Sequence, residues 1–253
     1  MKWVGWTLGK LWRIIFFINA FITFLPFYPL FLLTVYHPPF FRIAFALKRV
    51  WAFFMIYPMG IWLKKEFEEK LPKGTYVFVP NHTSYLDIII SYLIIPQYFI
   101  YVGKVELLNW KFFRIFFQKM NIPVDRENLK RTYNSWARAE DLLKEGTSIG
   151  IYPEGRIPFD VPNIGPFKNG PFKLALGAQV PLVPITFVHN WKLLPAWPTM
   201  WSEGGRPGFS YVKIHKPIPT AGMTEANLGT LRKQVRDIMD QELQRHGYHQ
   251  EPK

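Results

Sequence analysis

From Ile14 to Tyr36 the chain carries no charged residue, and a run that apolar must be covered by lipid or by the protein's own core. As one helix it would reach roughly 33 Å, enough to cross a bilayer's hydrocarbon layer. Pro26 and Pro29 interrupt it, since proline lacks the N–H that a helix interior needs. Pro38 and Pro39 then force a turn. A second uncharged run, Val50 to Leu63, has 14 residues, about 21 Å as a helix and too short to span. Residues 1–63 hold six basic side chains (Lys2, Lys10, Arg13, Arg42, Lys48, Arg49) and no acidic one, which suits anionic lipid headgroups. The pattern predicts a two-helix membrane-anchoring segment over 1–63, surface-lying or re-entrant, with a transmembrane hairpin as the alternative. No small-residue cleavage site follows the apolar run, so the segment reads as retained rather than as a signal peptide.

After a charged linker, Lys64 to Lys73, the rhythm changes to short apolar strands alternating with helical patterns, the signature of an α/β layer. Candidate strands are 76–79, 98–102, 122–124, 148–152, 182–186 and 211–215. Leu129, Tyr133, Trp136, Ala139 and Leu143 recur at helical spacing and end at Gly146, a C-terminal cap; Leu228, Leu231, Val235, Ile238 and Leu243 repeat the pattern. The expected fold class is α/β, a mixed sheet flanked by helices. Its domain would span 64–245, between the anchor and a polar tail at 246–253.

Hydrophobic residues are 49% of the chain, with 10 Trp and 23 Phe, more apolar bulk than a soluble enzyme needs, so part of it must meet lipid or an apolar ligand. The net charge of +13 points to anionic partners: an acidic membrane surface, phosphorylated substrates, an acidic carrier protein or nucleic acid. Cysteine is absent, which removes disulfides, thiolate metal sites and a cysteine acyl-enzyme.

The stretch Asn81-His82-Thr83-Ser84-Tyr85-Leu86-Asp87 follows the first strand and places an imidazole and a carboxylate five residues apart. A histidine takes a proton at neutral pH, and a nearby carboxylate fixes its tautomer and stabilises the imidazolium. Ser84 lacks the Gly-x-Ser-x-Gly turn of a hydrolase nucleophile, so His82 is read as acting on a substrate hydroxyl. Gly165 and Gly170 have P-loop spacing, but Pro171 stands where that motif needs Lys. His37, His189, His215, His246 and His249 carry no assigned chemistry, and no metal-ligand set emerges. Aromatic and basic residues interleave over Asn109 to Arg114; beside an apolar anchor, a lipid interface explains them more simply than nucleic acid does.

Four ordered blocks carry a resemblance: Asn81-His82 to Asp87; Gly103-Lys104 on to Pro123-Val124-Asp125-Arg126; Pro153-Glu154-Gly155; and Val183-Pro184-Ile185. Over roughly residues 64–220 the chain resembles the glycerolipid acyltransferase family with its His-x4-Asp motif, most closely the bacterial 1-acylglycerol-3-phosphate (lysophosphatidate) acyltransferases. The resemblance implies acyl transfer from an acyl thioester, acyl-CoA or acyl carrier protein, to the 2-hydroxyl of lysophosphatidate, with no cofactor. His82 would be the general base and Asp87 its orienter. Lys104 and Arg126 would contribute to the acceptor-phosphate site, and Glu154 with Gly155 would shape the adjacent turn. It also implies attachment to membrane phospholipids at the cytoplasmic face of a bacterial inner membrane. One departure matters: the family reads Pro-Glu-Gly-Thr-Arg, whereas Arg156 here stands where Thr usually does and Ile157 where Arg does. Arg156 is the preferred substitute for the usual phosphate arginine, with Lys168 or Lys173 as alternatives. The shift leaves room for another lyso-lipid or glycerol-3-phosphate as acceptor, and a noncatalytic lipid-binding membrane protein is the reading from another class, against which His82 and Asp87 argue.

Overall fold

A computed structural model describes residues 2–105, 114, 119–125, 128–196 and 204–248. The first stretch is helical in three pieces: α1 (Lys2–Phe24), α2 (Tyr28–Val35) and α3 (Phe41–Ile56). The charge-free run Ile14 to Tyr36 therefore breaks between α1 and α2, around Pro26, and Pro29 lies in the first turn of α2, where its missing N–H costs nothing. The second run is not one continuous helix. It covers the end of α3, a turn of 3-10 helix at Tyr57–Met59, and the start of a strand.

Seven strands follow: β1 (Ile61–Phe67), β2 (Val77–Pro80), β3 (Phe99–Lys104), β4 (Ile122–Val124), β5 (Ser148–Gly150), β6 (Leu182–Phe187) and β7 (Gly208–Ile214). They form one sheet in the order β1-β7-β6-β2-β5-β3-β4. All neighbours are parallel except β6 and β7, so the sheet is mixed, as the sequence predicts. Lys64 to Phe67, the start of the expected charged linker, belong to β1. It is an edge strand whose Glu66 pairs with Lys213 and Tyr211 of β7, and outward charges on an edge hide the apolar alternation that marks a strand. A boundary at 63/64 thus falls inside β1.

Helices cover both faces, among them α4 (Leu86–Ile94), α5 (Leu129–Lys144), α6 (Gly170–Ala178), the short α7 (Asn190–Leu193) and α8 (Leu228–Arg245). Period-2 alternation sorts the sheet's side chains. Val77 and Val79 turn to one face, with Trp136 and Ala139 of α5, Phe172 of α6, and Val235 and Met239 of α8. Tyr76 and Phe78 turn to the other, with Leu86 and Ile90 of α4, and with Phe16 of α1 and Phe45, Met55 and Ile56 of α3. The N-terminal helices are therefore part of the core. Gly9 of α1 lies so close to Gly204 that a Cβ on either would come within 2.8 Å of the other's backbone, a crossing that only glycines permit. The outer side of α1 shows Leu11, Ile15, Ile18 and Ile22 to solvent at helical spacing.

Tyr133 does not join the packed stripe of α5: it is 74% exposed, because at about 100° per residue it falls on the stripe's rim while Thr132 turns inward to the Asp125 carbonyl. Nor is the whole C-terminal tail free of the body, since the Tyr248 hydroxyl and His189 Nδ1 are hydrogen-bonded at 3.0 Å.

Candidate active site

The parallel strands β2 and β5 end at the same edge of the sheet, and the loops that leave them build the site, the usual place for ligands in α/β proteins. Asn81 controls how β2 ends. Its side chain accepts from the Phe187 N–H (2.7 Å) and donates to the Phe187 carbonyl (3.1 Å), extending the ladder with β6 by one rung. His82 is the next residue. It leaves the sheet from a fixed point.

Asp87 lies in the first turn of α4, where the helix dipole favours negative charge. It is 0% exposed, and five donors surround its two oxygens. Oδ2 accepts from the backbone N–H groups of Thr83 (2.6 Å) and Ser84 (2.8 Å) and meets His82 Nδ1 at 3.0 Å. Oδ1 accepts from Asn190 Nδ2 (2.8 Å) and, at 3.4 Å, from Thr83 Oγ1. Asn190 is itself held by the Ser210 hydroxyl at 2.6 Å. With Asp87 accepting, the imidazole proton sits on Nδ1 and the Nε2 lone pair is left for a substrate. The His82 side chain is 11% exposed. The structure thus brings His82 and Asp87 together. Asn190 and Ser210 complete the group, and sequence reasoning missed both: they lie 103 and 123 positions beyond Asp87 with no local pattern to mark them. Ser84 is excluded as nucleophile, since its hydroxyl is buried, donates to the Leu194 carbonyl at 2.6 Å and accepts from Leu86 N–H.

Glu154 does more than shape its own turn. One carboxyl oxygen accepts the His82 N–H at 2.8 Å and the other the Gly165 N–H at 2.7 Å, so the side chain pins the His82 loop to the 164–168 segment. It is 5% exposed, and both oxygens accept from the protein's own backbone. Burial pushes its carboxyl up to about 8, against the pull of the two N–H donors. With the folded value raised above the ordinary 4.5, its stabilising contribution is complete below about pH 4.5 and is lost as pH rises to about 8. Glu154→Gln is expected to melt lower than wild type, by about 1–3 kcal/mol, because one N–H then faces an amide NH2, and to lose the decline in Tm between pH 5 and pH 8. Thermal melts across that range check this; a variant that keeps the wild-type slope contradicts it.

Gly155 takes φ of +69°, a left-handed conformation that glycine adopts without strain, and turns Arg156 outward, with its guanidinium 5.1 Å from the Phe159 ring centre. The Lys168 N–H donates to the Pro153 carbonyl at 2.8 Å, so Lys168 and Arg156, both exposed, flank one turn. Arg236 of α8, unmarked in the sequence, braces that region by donating to the Gly165 and Ile164 carbonyls. Lys104 is described for its backbone only, as the last residue of β3, in register with Val124. Arg126, and the interleaved stretch 109–113, lie outside the described residues. Among the described residues no group of three His, Asp or Glu side chains is arranged for a metal. His189 and His215 are engaged away from His82, with Tyr248 and Thr186.

A family model described as Acyltransferase matches residues 63–188, the segment from β1 through the end of β6. The chain is 30% identical over 176 residues to the 1-acyl-sn-glycerol-3-phosphate acyltransferase of Haemophilus influenzae, covering 66% of this chain and 68% of that one. It is 32% identical over 183 residues to the chloroplastic 1-acyl-sn-glycerol-3-phosphate acyltransferase of Brassica napus, covering 68% of this chain and about half (49%) of that protein's length. The crystal structure of the 1-acyl-sn-glycerophosphate acyltransferase of Thermotoga maritima shares the fold, with a TM-score of 0.76 over 95% of this chain and 97% of that one at 19% identity. Thirty per cent identity carried across two thirds of the Haemophilus influenzae protein, together with a family model that spans residues 63–188, makes this chain a member of the acyltransferase family.

Proposed function

We propose that the protein transfers a fatty acyl group from an acyl thioester to the 2-hydroxyl of lysophosphatidate, giving phosphatidate. The observation that carries this reading is His82 Nδ1 held at 3.0 Å by a buried, fully hydrogen-bonded Asp87. Nε2 takes the acceptor hydroxyl's proton as its oxygen attacks the thioester carbonyl carbon. The tetrahedral intermediate collapses with cleavage of the C–S bond, and the imidazolium returns the proton to the leaving thiolate. The acyl group passes directly between substrates; the engaged hydroxyl of Ser84 supports the absence of a seryl intermediate.

Arg156 and Lys168, flanking one turn, are the described cations for the acceptor phosphate, with Lys104 and Arg126 as further contributors suggested by the resemblance. The donor is acyl-CoA or acyl carrier protein, both anionic, in keeping with a net charge of +13. The exposed apolar side of α1 supports a chain lying on a phospholipid membrane, with the cytoplasmic face of an inner membrane as the implied place. Arg156, one position early and set against Phe159, favours a second reading with the same chemistry on another lyso-lipid or glycerol-3-phosphate.

An acyl-transfer assay of the full chain over lysophosphatidate, neutral lysophospholipids and glycerol-3-phosphate tests both. The expected result is highest kcat/KM with lysophosphatidate, and a KM for it that rises roughly three- to ten-fold in Arg156→Ala, a modest effect because the guanidinium is exposed. Absence of thiol release with every acceptor removes the reading; preference for a different acceptor replaces it with the second.

A further inference from the structure

The imidazole of His82 is held at its edge by Asp87, and one of its flat faces is covered as well. Tyr152, two residues past the end of β5, stacks on it with ring centroids 4.0 Å apart and planes 22° from parallel. Behind Tyr152 lies Tyr101 of β3, stacked at 9° and 5.8 Å, so the covering ring is itself backed by another. The Tyr152 hydroxyl points into a buried cluster with Tyr101 and Ser91 and has no hydrogen bond of ordinary geometry among the described residues. Burial raises it well above the ordinary tyrosine range, so it stays protonated and does not compete with His82 as a base.

We infer that Tyr152 is a positioning residue for the reaction, its π face set against His82 to hold the ring and to stabilise the imidazolium that forms as the acceptor hydroxyl loses its proton. The inference rests on the acyl-transfer reading of His82. An aromatic face attracts a cation through its quadrupole, more strongly where water is excluded, and a neutral imidazole gains less from it. The interaction therefore strengthens as the transition state is approached, and this is the kind that raises kcat. Asp87 stabilises the same charge in the plane of the ring; Tyr152 does so perpendicular to it. Such a role requires the ring and not the hydroxyl.

Full-length wild type, Tyr152→Phe and Tyr152→Leu are compared for kcat, KM of the lyso-acceptor, pH–rate profile and Tm. Expected are a Tyr152→Phe variant within about two-fold of wild type and a Tyr152→Leu variant with kcat lower by roughly five- to thirty-fold. KM for Tyr152→Leu should stay within about two-fold, and its acidic limb should move to lower pH, as loss of the π face disfavours the imidazolium. If Tyr152→Leu melts without a cooperative transition, Tyr152→Met, longer and equally without a π face, serves the same comparison. Full kcat in the aliphatic variants overturns the inference. So does a Tyr152→Phe variant as slow as they are, or a loss confined to KM with an unmoved acidic limb. A wild type that transfers no acyl group would instead overturn the reading of His82, which keeps the two failures distinct.

Discussion

His82→Ala is expected to lower kcat by about 10²- to 10⁴-fold, the usual range for removing a general base, while leaving the fold intact. The second half follows from the geometry around Asp87. Its Oδ2 keeps the Thr83 and Ser84 N–H donors and its Oδ1 keeps Asn190, so loss of the imidazole does not leave a buried carboxylate without partners. The measurements are thiol release from the donor and a thermal melt. A variant that turns over within ten-fold of wild type would show that the reaction does not depend on His82. A variant with a collapsed melt would show that the ring is needed for structure.

Deleting residues 1–63 is expected to abolish folding rather than to release a soluble catalytic domain. Phe16, Phe45, Met55, Ile56 and Ile61 are buried in the same cluster as Phe78, Leu86 and Phe99, and the cut removes the first three residues of β1. At about 2 kcal/mol for each buried side chain the loss comes to about 10 kcal/mol, comparable to the whole stability of a typical domain, about 5–15 kcal/mol. Exchanging the outward Leu11, Ile15, Ile18 and Ile22 for serine leaves those contacts in place. This full-length variant is expected to keep its melt and to lose sedimentation with anionic phospholipid vesicles. A folded, active 64–253 fragment would refute the shared core. Unchanged vesicle binding by the serine variant would move lipid attachment away from α1.

The parts of this protein that were legible in its sequence are those whose cause is local. His82 and Asp87 lie five residues apart on a strand-loop-helix unit, and their pairing follows from that spacing, whereas the role proposed for them rests on the four ordered blocks together. The stripe of α8, and that of α5 apart from Tyr133, show the periodicity that burial on one face imposes. What was hidden depends on residues distant in sequence. Asn190 and Ser210 are ordinary polar residues until the sheet brings them to Asp87. Glu154 reads as a turn carboxylate until Gly165 arrives at its second oxygen. The run Val50 to Leu63 is ambiguous for a different reason: an apolar segment facing a sheet has the same composition as one facing lipid, and only the fold distinguishes them.

The pairing of β1 with β7 has a consequence for how the chain is made. Glu66 and its partner Lys213 are 147 residues apart, so at about 5–20 residues per second β1 waits roughly 7–30 s for its neighbour to be synthesised. Through that interval α1 and α3 have left the ribosome with their inner faces uncovered and no finished sheet to receive them. Such a nascent chain is open to aggregation unless its aromatic helices are shielded early, and lipid or a chaperone would have to hold them until the last strand closes the edge.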